Sequence, residues 1–185
     1  MPGFGRRAAG CDSMVGVTTP SGLETALSRA SGTVTAFLER LVGEPIDARQ
    51  RSHAMTRADA PSALQVAEGH PLLLRAAVLQ GRTSGRSYLY AESVLVPSRL
   101  PGRFSRRLES GSDPIGRILG EEGITVTREP LAASDRGSVS VSSQTGLAIG
   151  DYLLVRTYRV DSEGNPLMVI TEWFLPSLER FLPLR

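Results

Sequence analysis

A carboxylate in the middle of an apolar segment near the C-terminus is the feature that most constrains the fold of this sequence. The segment reads Asn165-Pro-Leu-Met-Val-Ile-Thr-Glu172-Trp-Phe-Leu-Pro. Because side chains alternate along a β-strand, Glu172 is predicted to share one face with Ile170 and Phe174. A charge on an apolar face is costly unless it is paired, hydrogen-bonded or neutralised. Glu172 is therefore expected to have a specific partner.

A second apolar segment carries the opposite charge. In Pro71-Leu-Leu-Leu-Arg75-Ala-Ala-Val-Leu, the predicted strand face of Arg75 also holds Leu73 and Ala77. A buried arginine and a buried glutamate on separate strands indicate either an internal ion pair or a pocket that binds a small anion. The pattern of residues alone leaves both alternatives open.

Composition and charge narrow the class of protein. The chain has 185 residues, enough for one domain with its own core, and 41% of them are hydrophobic. A formal net charge of +2, with arginines spread along the chain, does not indicate a nucleic-acid partner. No apolar run approaches the ~18 residues that span a bilayer, so no membrane partner is expected. The single Cys11 and the lack of a signal-peptide pattern favour a cytoplasmic protein.

The sequence lacks the residues that several catalytic chemistries require. The sequence contains no lysine, which excludes a Schiff-base lysine and a P-loop lysine. His53 and His70 lie in different segments, far from the only cysteine, so neither a metal nor a cofactor is expected. Both histidines are predicted to have structural or surface roles. Arg103, Arg106 and Arg107 are interpreted as a solvated helix face.

The chain is predicted to form a flexible leader at residues 1–20 and a single domain at residues 21–185. Helices are expected in the first part and strands in the second half. Without a regular alternation of strands and helices, the predicted class is α+β, an antiparallel β-sheet flanked by helices. Helices are predicted to start at Ser21 and Ser31 and to occupy 100–120 in two pieces, and strands to cover 47–58, 72–79, 87–96, 124–129, 152–160 and 167–174.

Three local features carry more specific predictions. Asp113 is expected to cap the second of the two adjacent helices, with Pro114 at the first helical position. Pro130 is expected to stop the strand at 124–129, because proline cannot donate to a sheet. The polar, Ser- and Gly-rich stretch 134–150 is predicted to be a mobile loop.

Three motifs between Leu72 and the C-terminus, in this order and spacing, resemble the chorismate pyruvate-lyase family. The first is Leu-Leu-Leu-Arg75-Ala-Ala-Val-Leu, similar to the family strand with a ligand arginine. The second, Asp113-Pro-Ile115-Gly-Arg-Ile-Leu, resembles the turn at which a main-chain group meets the ligand. The third is the apolar segment around Glu172, which resembles the last strand with its ligand glutamate.

The resemblance implies a chorismate lyase-like fold with an enclosed ligand pocket, and a lyase that converts chorismate to 4-hydroxybenzoate and pyruvate without a cofactor or metal. By resemblance, Arg75 and Glu172 are the candidate catalytic residues. Arg75 binds a substrate carboxylate as a bidentate fork, and Glu172 hydrogen-bonds the ring hydroxyl. A main-chain group at Ile115 and an apolar pocket position at Val34 complete the site. Arg156 is a candidate for a second anion contact. The expected partner is a small molecule, chorismate or a similar aromatic carboxylate.

One residue departs from the better-known ubiquinone-pathway members. Glu92, in Tyr-Ala-Glu-Ser, stands where those proteins usually have arginine, and together with Arg156-Thr-Tyr-Arg it resembles the actinobacterial branch. An acid near a pocket for a dianion keeps open a same-fold enzyme with a different substrate. A third alternative is a non-catalytic small-molecule sensor, since effector domains of some bacterial regulators share the fold. Against the sensor, the leader is too short to hold a helix-turn-helix.

Overall fold

The computed structural model describes residues 22–30, 32–59, 63–137 and 150–182, with the backbone alone for 134–137. The predicted leader and residues 138–149 of the predicted loop lie outside the described residues. The elements are α1 (Gly22–Arg29), α2 (Val34–Val42), β1 (Ile46–Arg57), β2 (Pro71–Gly81), β3 (Ser87–Leu95), a 3₁₀ turn (Pro97–Arg99), α3 (Gly102–Ser110), α4 (Ile115–Glu121), β4 (Thr127–Gly137), β5 (Tyr152–Ser162), β6 (Asn165–Phe174) and a second 3₁₀ turn (Pro176–Phe181).

The strands form one six-stranded antiparallel sheet in the order β1-β2-β3-β6-β5-β4. The predicted α+β class with an antiparallel sheet is confirmed. Two hairpins, β2–β3 and β5–β6, meet in the centre of the sheet where β3 pairs with β6. This pairing brings Arg75 and Glu172, which are far apart in the sequence, to within two strands of each other.

The helices pack through two apolar clusters. The first cluster contains Leu27 of α1, Leu38 of α2 and Phe174 of β6. The second contains Phe104 of α3 and Ile118 of α4. Burying a side chain of this size contributes about 1.5–3 kcal/mol. These clusters therefore fix where the helices lie on the sheet.

Helix α2 begins at Val34 rather than at the predicted Ser31. Thr33 is its N-cap, and its side-chain oxygen accepts a hydrogen bond from the amide of Ala36 at 3.2 Å. The helix ends at Gly43, which has a φ of +76° and donates its N–H to the carbonyl of Glu39. Both ends of α2 are thus set by local sequence.

The predicted cap of α4 is wrong. The helix begins at Ile115, and Pro114 occupies the cap position with extended backbone angles. The Asp113 carboxylate instead accepts hydrogen bonds from Nε and Nη2 of Arg107, at 3.1 and 2.8 Å. Arg107 is therefore held by carboxylates, whereas Arg106 is exposed as predicted for the whole cluster.

The predicted end of the fourth strand is also wrong. β4 begins at Thr127 and continues through Pro130 to Gly137, with a bulge between Pro130 and Ala132. Because β4 is an edge strand, the missing N–H of proline leaves no ladder partner unsatisfied. Residues 134–137, predicted as loop, belong to this strand.

The turn between β2 and β3 is anchored from outside the hairpin. The Glu44 carboxylate accepts hydrogen bonds from the amides of Thr83 and Ser84 and from the hydroxyls of Ser84 and Tyr88. These hydrogen bonds, those from Ser84 foremost, lower the pKa of Glu44 to about 2. The anchor fixes the hairpin that carries Arg75.

Candidate active site

A row of polar residues crosses the core between the two apolar clusters. On β2, Arg75 lies between Leu73 of the second cluster and Ala77 of the first. Glu172 on β6 and Arg156 on β5 also lie between a residue of the second cluster and a residue of the first. The predicted strand faces of Arg75 and Glu172 are therefore confirmed, and the polar row marks a gap in the apolar core.

Arg75 is buried and has no carboxylate partner among the described residues. Its side chain is 4% exposed, and its Nη2 donates a hydrogen bond to the carbonyl of Asp113 at 3.1 Å. Its Nε is buried and makes no hydrogen bond, and within the described residues no carboxylate forms an ion pair with it. Burial lowers the pKa of Arg75 from 12.5 to about 10, partly offset by the charge of Asp113, and the guanidinium stays charged at neutral pH.

Glu172, by contrast, has two partners. Its Oε2 accepts a hydrogen bond from Nε of Arg156 at 2.8 Å, and its Oε1 accepts one from the hydroxyl of Tyr158 at 2.8 Å. Burial, reinforced by the charge of Glu172, raises the pKa of Tyr158 well above its usual value of 10, so this hydroxyl remains a donor. The sequence left open an internal ion pair or an anion-binding pocket. Glu172 forms an ion pair, but with Arg156, and Arg75 has no ion pair within the described residues, which favours the anion-binding pocket.

Arg156 is held over two aromatic rings as well as by Glu172. Its guanidinium carbon lies 5.1 Å from the ring centroid of Tyr158 and 5.5 Å from that of Phe174. The side chain of Arg156 is 23% exposed, so its charge keeps some contact with water. The arrangement orients the Glu172 carboxylate from one side.

A cavity lies beside Arg75 and Glu172, against the N-termini of α2 and α4. Val34 of α2 and Ile115 of α4 line it. Its empty space is about 530 Å³, counted with the part that opens to solvent. The first amides of a helix have no partner within the helix, and the helix dipole adds partial positive charge there. Together with Arg75, these amides favour an anion in the cavity.

Small residues of β3 create the space between the two charged strands. Ala91 and Ser93 line the cavity between Arg75 and Glu172. Arg75 lies opposite Ser93, and Glu172 lies opposite Ala91. The two backbones are therefore separated by about 10 Å across the sheet and offset by about 7 Å along it.

Two arginines outside the cavity hold the loop and helix that carry Ile115. Arg107 binds the carboxylate of Asp113, as described above. Arg117 donates from Nη2 to Oε1 of Glu39 at 3.0 Å and to the carbonyl of Ile46 at 2.6 Å. These contacts tie α4 to α2 and β1, so the two helix N-termini keep a fixed relative position.

Four of the five sequence-predicted site residues line one cavity, namely Val34, Arg75, Ile115 and Glu172. Arg156 does not line it and contacts two residues that do, Glu172 and Tyr158. The sequence analysis missed Tyr158 and Arg128, which also line the cavity. Tyr158 is two residues from Arg156 on the same strand, which is a usable signal. Arg128 follows Ile124 and Val126 at period two in the predicted strand, which is also a usable signal.

The expectation that Glu92 lies near the pocket is wrong. Its neighbours Ala91 and Ser93 line the cavity, so the side chain of Glu92 points to the opposite face of the sheet. There it is 3% exposed, and its Oε1 accepts a hydrogen bond from the hydroxyl of Tyr90 at 2.7 Å. The acid at this position therefore does not oppose an anion in the cavity.

The described residues share their fold with solved bacterial proteins. The effector domain of PhnF from Mycobacterium smegmatis matches with a TM-score of 0.58 and 13% identity, over 79% of this chain and 90% of that one. The possible transcriptional regulator YydK from Bacillus subtilis matches with a TM-score of 0.53 and 12% identity, over 76% and 63%. No helix in the described ranges is long and apolar enough to cross a membrane. The matched structures show the fold alone, an antiparallel sheet flanked by helices.

The sequence identifies the family within that fold. Residues 29–182 match the chorismate pyruvate-lyase Rv2949c-like family, and the chain belongs to this family of lyases. The chorismate pyruvate-lyase of Mycobacterium tuberculosis is 31% identical over 169 residues, 85% of this chain and 81% of that protein. The chorismate pyruvate-lyase of Mycobacterium leprae is 29% identical over 121 residues, 60% and 54% of the two chains. The predicted family, its actinobacterial branch and the lyase class are confirmed.

Proposed function

We propose that this protein converts chorismate to 4-hydroxybenzoate and pyruvate, with Arg75 and Glu172 as the catalytic residues. The observation that carries the proposal is the state of Arg75. It is buried, its Nε is unpaired, it has no ion pair with a carboxylate of the described residues, and it lines the same cavity as Glu172. A buried charge without a partner destabilises a protein. An anionic substrate supplies that partner, and membership of the family indicates which anion it is.

The shape of chorismate suits the separation of the two charged residues. Its ring carries a carboxylate and, at the opposite end, a hydroxyl, and the enolpyruvyl ether beside the hydroxyl carries a second carboxylate. Arg75 binds the ring carboxylate with its fork of N–H donors. Glu172 accepts the hydrogen bond of the ring hydroxyl. Each carboxylate oxygen can accept about two hydrogen bonds, so Glu172 has capacity beyond Arg156 and Tyr158.

The reaction breaks one carbon–oxygen bond and moves one proton. The bond between the ring and the enolpyruvyl oxygen breaks, and the oxygen becomes the keto oxygen of pyruvate. The proton on the hydroxyl-bearing carbon leaves as the ring becomes aromatic, and the enolpyruvyl methylene takes up a proton to become the methyl group of pyruvate. Aromatisation supplies the thermodynamic drive. The protein's contribution is then positioning and electrostatic support rather than a strong base.

The described residues supply that positioning. Arg75 and the amide of Ile115 hold the carboxylate end, and Val34 provides an apolar contact for the ring. Arg156 and Tyr158 fix both oxygens of Glu172, so the carboxylate meets the ring hydroxyl in one orientation. We propose Arg156 as a positioning residue that acts through Glu172.

Incubating the purified protein with chorismate tests the proposal directly. Pyruvate and 4-hydroxybenzoate are expected to appear in equal amounts, at the same rate with and without a metal chelator. Chorismate incubated without protein gives the uncatalysed background. No release of either product above that background, or loss of turnover on chelation, would contradict the proposal.

The alternatives receive less support. A same-fold enzyme with another substrate rested on Glu92, and that residue lies on the other face of the sheet. A sensor rests on likeness of fold alone, at 12–13% identity, whereas the matched lyase is 31% identical over most of both chains.

Replacing Gly116 with alanine is expected to weaken binding of 4-hydroxybenzoate several-fold while the chain still folds. A Cβ at Gly116 would lie 2.7 Å from the Cβ of Thr33, the N-cap of α2. That branched atom cannot swing aside, so the two helix N-termini must separate. Gly120→Ala in the same helix is the control, because its new Cβ meets nothing within 4 Å. Equal affinities of the two variants, measured by calorimetry, would contradict this role of Gly116.

A further inference from the structure

Arg128 extends from the edge of the sheet into the mouth of the cavity. It lies on β4 directly opposite Val160 of β5. Val160 and Tyr158, on one face of β5, both line the cavity, as does Arg128. Directly opposite residues in an antiparallel pair project to the same face. The Arg128 side chain therefore lies on the cavity face, and the exposure of this residue places it at the solvent end.

The charge of Arg128 has no partner within the described ranges of the chain. No hydrogen bond or ion pair of its side chain is present there. Its neighbours on β5 differ in this respect: Arg159 pairs with Asp161 and Glu129, and Arg156 pairs with Glu172. Arg128 is thus a cation that these carboxylates do not neutralise.

The proposed substrate has one more carboxylate than the buried end of the cavity can neutralise. Arg75 takes the ring carboxylate, and the guanidinium of Arg156 is already paired with Glu172. Arg75 and Arg128 enter the cavity from opposite sides, since β3, β6 and β5 lie between their strands. When the first carboxylate of a dianion binds Arg75, its second carboxylate therefore lies towards the mouth of the cavity.

We propose that Arg128 binds the enolpyruvyl carboxylate of chorismate and so distinguishes the dianionic substrate from the monoanionic aromatic product. The inference rests on the proposed function. Once the carbon–oxygen bond breaks, the second carboxylate belongs to pyruvate, and 4-hydroxybenzoate keeps only the carboxylate held by Arg75. Arg128 therefore contributes to substrate affinity and not to affinity for the aromatic product.

The test compares Arg128→Gln with Arg106→Gln, an exposed arginine on α3 that lies outside the cavity. KM and kcat for chorismate and the inhibition constant of 4-hydroxybenzoate are measured for both variants and wild type. For Arg128→Gln, KM is expected to rise about three- to fivefold, the upper part of the range for an exposed ion pair. The values of kcat and the inhibition constant should stay within about twofold. The effect on KM should shrink in high salt, because exposed charges are screened. Arg106→Gln should match wild type.

Two results would overturn the assignment of Arg128. An unchanged KM would show that Arg128 does not contact the substrate. An equal rise in KM and in the inhibition constant would show that it acts on the pocket as a whole rather than on the second carboxylate. If wild type binds chorismate without turnover, the proposed reaction fails, and calorimetric titration with chorismate and 4-hydroxybenzoate still decides the role of Arg128. If wild type binds neither compound, both proposals fail.

Discussion

Replacing Arg75 with methionine is expected to weaken binding of 4-hydroxybenzoate strongly while leaving the ligand-free protein at least as stable as wild type. Methionine keeps much of the apolar stem and removes a buried charge that has no carboxylate partner in the described residues. A hydrogen bond to a charged group contributes about 1.5–3 kcal/mol. The expected loss of affinity is therefore about 10- to 150-fold. Calorimetry and thermal unfolding on the same preparation measure both quantities.

Arg106→Met is the matched control for this change. Arg106 is exposed on α3, so its replacement should alter neither affinity nor melting temperature beyond small surface effects. Similar affinities of the two folded variants would refute the assignment of Arg75 to the ligand. A large drop in the melting temperature of Arg75→Met would show that the hydrogen bond to the carbonyl of Asp113 is its main role.

The strand faces were predictable from the sequence, because alternation along a strand depends only on local residues. Arg75 and Glu172 each lie between apolar neighbours at period two, and the structure places both where that period puts them. The positions of Val34 and Ile115 beside the cavity followed from the family resemblance and not from periodicity. Their approach depends on two helix N-termini that tertiary contacts hold together.

The partner of Glu172 was not predictable, because it depends on a one-residue irregularity. Counting back from the pair Ser162 and Asn165, a regular hairpin would place Arg156 opposite Thr171. A register shift between Val160 and Asp161 instead places Arg156 opposite Glu172. A shift of one residue moves a side chain to face a different set of partners. The sequence of the turn does not reveal this bulge.

The face of the sheet on which Glu92 lies was not predictable for a different reason. Strand β3 lies in the centre of the sheet, with six of its nine residues buried and none exposed on either face. Such a strand shows no alternation of apolar and polar residues. The resemblance marked the position of Glu92 without giving its direction. The pairing of Ala91 with Glu172, and the cavity lining by Ala91, show that Glu92 lies on the other face.

Replacing Glu172 with glutamine is expected to reduce kcat/KM by about 10- to 100-fold with a modest loss of stability. The amide keeps the shape and can still accept from Tyr158, but it loses the charged acceptor for the ring hydroxyl, an interaction of about 1.5–3 kcal/mol. The change also unpairs Arg156. Breaking a fully buried pair costs about 3–5 kcal/mol. Since the side chain of Arg156 is 23% exposed and stacks on two rings, the cost here should be smaller. Glu109→Gln, the same change at an exposed position of α3, is the control.

Turnover and thermal unfolding of Glu172→Gln separate a catalytic carboxylate from a structural one. If Glu172 orients the substrate hydroxyl, the rate per folded molecule falls far more than the melting temperature. If it serves only to neutralise Arg156, the melting temperature falls while each folded molecule turns over normally. The second outcome would remove Glu172 from the reaction. The geometry favours the first, because Arg156 and Tyr158 occupy one position on each oxygen and leave the carboxylate able to accept a further hydrogen bond in the cavity.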